Sequence, residues 1–76
     1  MLKDLLFIIT KNLVEFPDAI SIEETKRDNT VVLKLRVAPE DMGKVIGKQG
    51  RIAKAIRTVV KAAAIHNDMR VVVEIV

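Results

Sequence analysis

Hydrophobic positions near the start of the chain recur at helical spacing. Leu2, Leu5, Leu6, Ile9 and Leu13 form one stripe, which predicts an amphipathic helix of about fourteen residues. Pro17 cannot donate to a helical ladder and is expected to end it. Phe7 and Val14 lie off the stripe, on a flank that the helix alone does not bury. Residues 20–27 alternate weakly, with Ile20 and Ile22 as the apolar members, and read as a short, polar edge strand. Asp28-Asn29 is a turn signal. Residues 31–37 alternate fully: Val31, Leu33, Leu35 and Val37 face one way, Lys34 and Arg36 the other. Ala38-Pro39-Glu40-Asp41 then opens a short helix, since a proline in the first turn and two acids near the positive end of the dipole suit a helix start. That helix holds Met42, Val45 and Ile46 before Gly47 interrupts it. A longer helix is expected from Arg51 to about Ile65, stopped by His66-Asn67-Asp68, and residues 70–76 form a β-branched strand. The predicted order is α-β-β-α-α-β, an α+β arrangement without repeats, linkers or low-complexity tracts.

Length and composition narrow this further. A chain of 76 residues holds one core, so residues 1–76 are expected to be a single domain. Half of the residues are hydrophobic and 30% are charged, which is a globular rather than a disordered composition. No cysteine is present, so neither a disulfide nor a thiolate metal site is available, and His66 alone does not make a zinc site. No metal or cofactor is expected. The lack of cysteine fits a reducing compartment. Lys3, Asp4 and Lys11 interrupt the first apolar segment, so it reads as neither a membrane span nor a secretion signal. A cytoplasmic location without membrane attachment is expected.

Charge changes the picture. Residues 42–67 contain Lys44, Lys48, Arg51, Lys54, Arg57 and Lys61 and no acid, a charge of +6. The whole chain carries +3, so the remainder sums to −3. Such asymmetry suggests a face for an anionic partner, nucleic acid first among them; the plainer alternative is a solvated helix face. At 100° per residue, Arg51, Lys54, Arg57, Thr58 and Lys61 gather on one side of the last helix, and its apolar sector spans roughly 200°, about twice what one sheet covers. The flank of Ala55, Val59 and Ala62 is therefore the expected interface with another protein or a second copy.

The central motif is Val45-Ile46-Gly47-Lys48-Gln49-Gly50-Arg51-Ile52. Two glycines let the backbone turn sharply and come close to a ligand, and the following helix offers unsatisfied N–H groups and a positive dipole end to phosphate. Lys48 adds charge at the tip, Gln49 can donate or accept at the sugar edge, and Arg51 reaches the same backbone. Lys44 and Lys54 flank the loop with further charge, and Ile46 and Ile52 line the groove beside it or belong to the core. A plain helix-turn-helix corner closed by glycines is the alternative, but it leaves the lysine-bearing tip and the acid-free window unexplained.

Helix, glycine loop and basic helix between strands resemble the KH family, whose G-x-x-G loop clamps RNA backbone. The added helix and strand before the β-α-α-β core resemble the type II KH domain, which implies a three-stranded mixed sheet packed against three helices. Residues 38–57, Ala38-Pro39-Glu40-Asp41-Met42-Gly43-Lys44-Val45-Ile46-Gly47-Lys48-Gln49-Gly50-Arg51-Ile52-Ala53-Lys54-Ala55-Ile56-Arg57, resemble most closely the KhpA (YlqC) family of small bacterial KH proteins. The resemblance implies a cytoplasmic protein that binds single-stranded RNA, an RNA-chaperone role, a larger KhpB-like partner, and an influence on cell shape and cell-wall homeostasis. One departure stands out: Ala53 sits where many KH domains carry a large aliphatic residue, which implies a shallower floor to the base groove.

Other readings are weaker. Phe7 and Phe16, the only aromatics, lie far from the loop in sequence, so stacking of bases on aromatic rings is not expected. His66 reads as a partner for the helix dipole or a cap. No nucleophile–base set, paired carboxylates or Walker-type lysine is present, so neither an enzyme nor a small-molecule substrate is expected. The rival function is a protein-interaction subunit whose fold mainly docks a partner, and single-stranded DNA remains open because a phosphate clamp does not read the 2′-OH.

Overall fold

The computed structural model describes all residues, Met1–Val76. The elements follow the order α1 (Leu2–Lys11), β1 (Ser21–Arg27), β2 (Thr30–Arg36), α2 (Met42–Ile46), α3 (Arg51–His66) and β3 (Arg70–Ile75), with 3₁₀ turns at Pro17–Ala19, Pro39–Asp41 and Lys48–Gly50. The sheet order is β1-β2-β3; β1 pairs antiparallel with β2, and β2 pairs parallel with β3, so the sheet is mixed. Helices cover one face of this sheet, and the arrangement is the α+β KH fold that the pattern and the resemblance imply.

The alternation of β2 decides which face is covered. Val31, Leu33, Leu35 and Val37 are buried, and Val71 and Val73 lie beside them on β3. Leu2 and Leu6 of α1, Val45 of α2, and Ile56, Val60 and Ala64 of α3 complete the core from the helical side. On the solvent face, Glu23, Lys34 and Glu74 stand opposite one another across three strands, a register that places unlike charges side by side. β1 is an exposed edge strand in which only Ile22 is half-buried.

The first helix is shorter than the hydrophobic stripe predicts. It ends at Lys11, six residues before Pro17, so proline is not what stops it. The Asn12 side-chain amide donates to Ile8 O at 2.7 Å, and the amides of Leu13 and Val14 both donate to Thr10 O. The next two amides, Glu15 and Phe16, donate to the Asp41 carboxylate at 3.0 Å each. A tertiary acceptor has taken the donors that another helical turn would need. α3 stops at the expected place: His66 is the basic residue of its last turn, and Asn67 is the cap, its side chain donating to Ala63 O at 2.8 Å.

Candidate nucleic-acid interface

The Gly47–Gly50 loop is fixed by its own backbone. Gly47 has φ 74° and ψ 175°, a region that essentially only glycine occupies, and Gly50 is left-handed at φ 72° and ψ 16°. Gln49 between them is also left-handed, at φ 57° and ψ 24°, which costs a non-glycine residue about 1–2 kcal/mol. The loop packs hard on the helix that follows. A Cβ on Gly47 would lie 2.6 Å from Ile52 Cγ1, whereas one on Gly50 would meet nothing within 4 Å. Ile52 is half-buried and braces the loop from below; Ile46 is likewise half-buried, and both pack against the core.

The turn is closed by three amides: Gly47 N–H donates to Gly43 O at 2.9 Å, Gly50 N–H to Gly47 O at 3.2 Å, and Arg51 N–H to Lys48 O. The amides of Lys48 and Gln49 take no partner within the chain. They stand at the start of a 16-residue helix, where the dipole is positive. The side chains of Lys48, Gln49 and Arg51 line one open depression around them, with Arg51 Nη2 3.4 Å from Gln49 Oε1. A site of free amides, a helix N-terminus and two cations suits an oxyanion, and repeated along a strand it suits a phosphate backbone.

The surrounding cations divide into two sorts. Lys48, Arg51 and Lys54 are exposed and form no ion pair. Lys44 does not share that freedom. Its ammonium lies 3.5 Å from Glu15 Oε2 and 3.5 Å from Asp41 Oδ1, so its charge is already partly neutralised. Arg57 is tied differently: its Nε donates to Val73 O at 3.1 Å, on the free edge of β3. That bond satisfies an outward carbonyl and shows that the Lys54–Arg57–Lys61 side of α3 looks onto the β3 edge.

Asp41 is the residue whose role the sequence did not reveal. As an acid in a first helical turn it reads as a dipole partner, yet it is fully buried and holds the backbone of residues 15–16 against the base of α2. Burial by itself pushes its carboxyl up; the Glu15 and Phe16 amides and the Lys44 ammonium outweigh that and hold its pKa below the usual carboxylate range. Nothing local marks this position, because the partners lie some twenty-five residues earlier in the chain.

The expected protein-docking flank is open. Ala53, Ile56, Val60 and Ala64 of α3 are buried, while Ala55, Val59 and Ala62 are exposed, Val59 at 49%. Neither α1 nor the sheet folds over them. No group of three acidic, histidine or cysteine side chains is placed to hold a metal ion, and no helix is long and apolar enough to cross a membrane.

A family model for the KhpA/KhpB KH domain matches residues 3–75. The chain is 60% identical to the RNA-binding protein KhpA of Clostridium acetobutylicum, covering 99% of this chain and 100% of that protein. It is 59% identical to the RNA-binding protein KhpA of Clostridium perfringens, with the same coverage. The RNA-binding protein KhpA of Aquifex aeolicus is 47% identical, over 97% of this chain and 94% of its own. With residues 3–75 matched by the family model and 99% of its length aligned to a relative 60% identical, the chain belongs to the KhpA/KhpB family of KH domains.

Proposed function

We propose that this protein is a single KH domain, residues 1–76, that binds single-stranded RNA with Gly47-Lys48-Gln49-Gly50 and the first turn of α3. The observation that carries the reading is the pair of unpartnered amides at Lys48 and Gln49, set at a helix N-terminus between two glycines in left-handed or glycine-only conformations. Phosphate oxygens accept from these amides, Lys48 and Arg51 neutralise the charge, Lys54 adds to the field, and Ile46 and Ile52 form an apolar support beside the strand. Lys44 contributes least, because Glu15 and Asp41 already hold it. The relatives' names describe RNA-binding proteins, which favours RNA over DNA as the strand. No residue set supports catalysis, and the function is binding in the cytoplasm.

The test is Lys48→Asp with Gln49→Asp. Both side chains are exposed, so the core loses nothing while phosphate meets two negative charges. Electrophoretic shift with a single-stranded RNA, beside circular dichroism, should show a folded protein that no longer binds. A folded double variant with unchanged affinity would sink the clamp.

A second reading concerns partners. The open flank of Ala55, Val59 and Ala62 favours docking of a second copy or of a larger KhpB-like protein, since small side chains let another backbone come close. The family resemblance extends this to an RNA-chaperone role linked to cell shape and the cell wall; a strand-annealing assay and the morphology of a deletion strain test those two points, and normal values in both would remove them.

A further inference from the structure

We propose that the free edge of β1 pairs with the same edge of a second copy of this chain, antiparallel and centred on Thr25, so that two sheets join into one. The edge is open: every residue of β1 except Ile22 is exposed. The sheet fixes which of its backbone groups are free. Arg70 N–H donates to Asn29 O and Val76 N–H to Leu35 O, so the odd-numbered residues of β2 turn toward β3 and the even-numbered ones toward β1. The register sets Thr30, Val32, Lys34 and Arg36 opposite Arg27, Thr25, Glu23 and Ser21. Those residues of β1 are therefore bonded inward. Ile22, Glu24 and Lys26 turn their N–H and C=O groups outward, toward a strand that β1 lacks.

Charge decides what that strand is. Glu23, Thr25 and Arg27 share the solvent face with Lys34 and Glu74, while Glu24 and Lys26 lie on the opposite face. None of Glu23, Glu24, Lys26 and Arg27 forms an ion pair within the chain. A two-fold axis through Thr25 sets Glu24 against Lys26 and Glu23 against Arg27, each pair twice, with Thr25 against Thr25. Every partner then lies on the matching face, and unlike charges and paired threonines are favourable cross-strand neighbours. The backbone agrees with the side chains. Glu24 and Lys26, whose groups point outward, exchange both N–H···O bonds with their counterparts, and Thr25 occupies the closer, non-hydrogen-bonded position. Moving the axis one residue to either side sets Glu24 against Glu24 or Lys26 against Lys26. Charges on an edge strand ordinarily keep foreign strands away. Here the same charges admit a strand carrying them in reverse order, which is β1 itself turned around. The other edge of the sheet is a poorer partner, because Val73 O on β3 already accepts from Arg57 and a β1-to-β3 contact would repeat without closing.

Exposed ion pairs are weak, so the test traps the contact covalently. The chain has no cysteine, and one introduced thiol therefore reports one contact. Across a non-hydrogen-bonded pair the Cα atoms lie about 4.5 Å apart, within the span of a disulfide. Thr25→Cys should thus form a covalent dimer in a glutathione redox buffer, read on a non-reducing gel. Ser21→Cys is the control, since the same axis holds the two Ser21 positions about 27 Å apart at 3.4 Å per residue. The proposal expects Thr25→Cys to cross-link at least tenfold faster than Ser21→Cys, and the difference to shrink as salt rises. Two further proteins carry Thr25→Cys with reversed charges, one with Glu23→Lys and Glu24→Lys, the other with Lys26→Glu and Arg27→Glu. All of these sites are exposed, and circular dichroism checks each fold. Each reversed protein alone should cross-link slowly, whereas their mixture should restore the rate, because every pair across the axis is again unlike. A mixture no faster than both proteins alone would overturn the proposal, as would equal rates for Thr25→Cys and Ser21→Cys. Association through Ala55, Val59 and Ala62 does not imitate the result, since α3 packs on β3, α1 and α2 and carries no part of this edge.

Discussion

Alanine at the three glycines should separate the strain built into the loop from ordinary helix propensity. Gly47→Ala places a Cβ 2.6 Å from Ile52 Cγ1 and 2.9 Å from Cδ1, with Ile52 Cβ itself at 3.0 Å. Ile52 is β-branched and sits in the first turn of α3, where one χ1 rotamer is strongly preferred, so it has little room to swing away. The backbone at φ 74°, ψ 175° costs a further 1–3 kcal/mol for any residue with a Cβ, and overpacking typically adds about 1–3 kcal/mol. The sum, about 2–6 kcal/mol, is a large part of the roughly 4–11 kcal/mol that a domain of this size has in total. Gly50→Ala meets no neighbour and carries only the left-handed penalty, about 1–2 kcal/mol. Gly43 lies inside α2 with open space around it, and Gly43→Ala should stabilise by about 0.5–1 kcal/mol. Urea unfolding of the three variants measures all of this. Equal costs at Gly47 and Gly50, or a destabilising Gly43→Ala, would refute the argument that Ile52 and the loop are fitted to one another.

Three other outcomes follow from the same geometry. Asp41 has a folded pKa below its unfolded value of about 3.9, so its contribution to stability is present above that value and fades as pH falls through the folded pKa; Asp41→Asn should remove this acid limb and be less stable at neutral pH, which denaturation across pH 2–7 would reveal, and an unchanged acid limb would count against the latch. If about three phosphates are neutralised, log K for RNA should fall with log[salt] at a slope near −2, with micromolar affinity at physiological salt; a slope near zero would detach the basic residues from the nucleic acid. Val59→Asp, at an exposed site, should keep the fold and lose self-association or capture of a larger KH partner; a wild type that sediments as a monomer and captures nothing from its native cell would remove the docking reading.

The fold was legible because its decisive signals are periodic and local. The alternation of β2, the glycine break after Ile46 and the basic stripe of α3 all appear where the sequence places them. What the sequence hid is tertiary. The apolar stripe runs on to Leu13, yet α1 stops at Lys11 because Asp41, far along the chain, takes the amides of Glu15 and Phe16. The same carboxylate, with Glu15, draws Lys44 out of the set of free cations, although in the sequence Lys44 looks like any other base in an acid-free window. Arg57 likewise reads as a surface charge until β3 brings Val73 O beneath it.

The claim at the centre of this account is that the backbone between Gly47 and Gly50 receives phosphate. Amide chemical shifts in ¹⁵N-labelled protein, followed while a single-stranded tetranucleotide is added, test it most directly. The amides of Lys48 and Gln49 should move furthest and saturate together, followed by those of Gly50 and Arg51, with the solvent face of the sheet around Glu23, Lys34 and Glu74 unmoved. Saturable shifts centred on that sheet face, with Lys48 and Gln49 still, would contradict it.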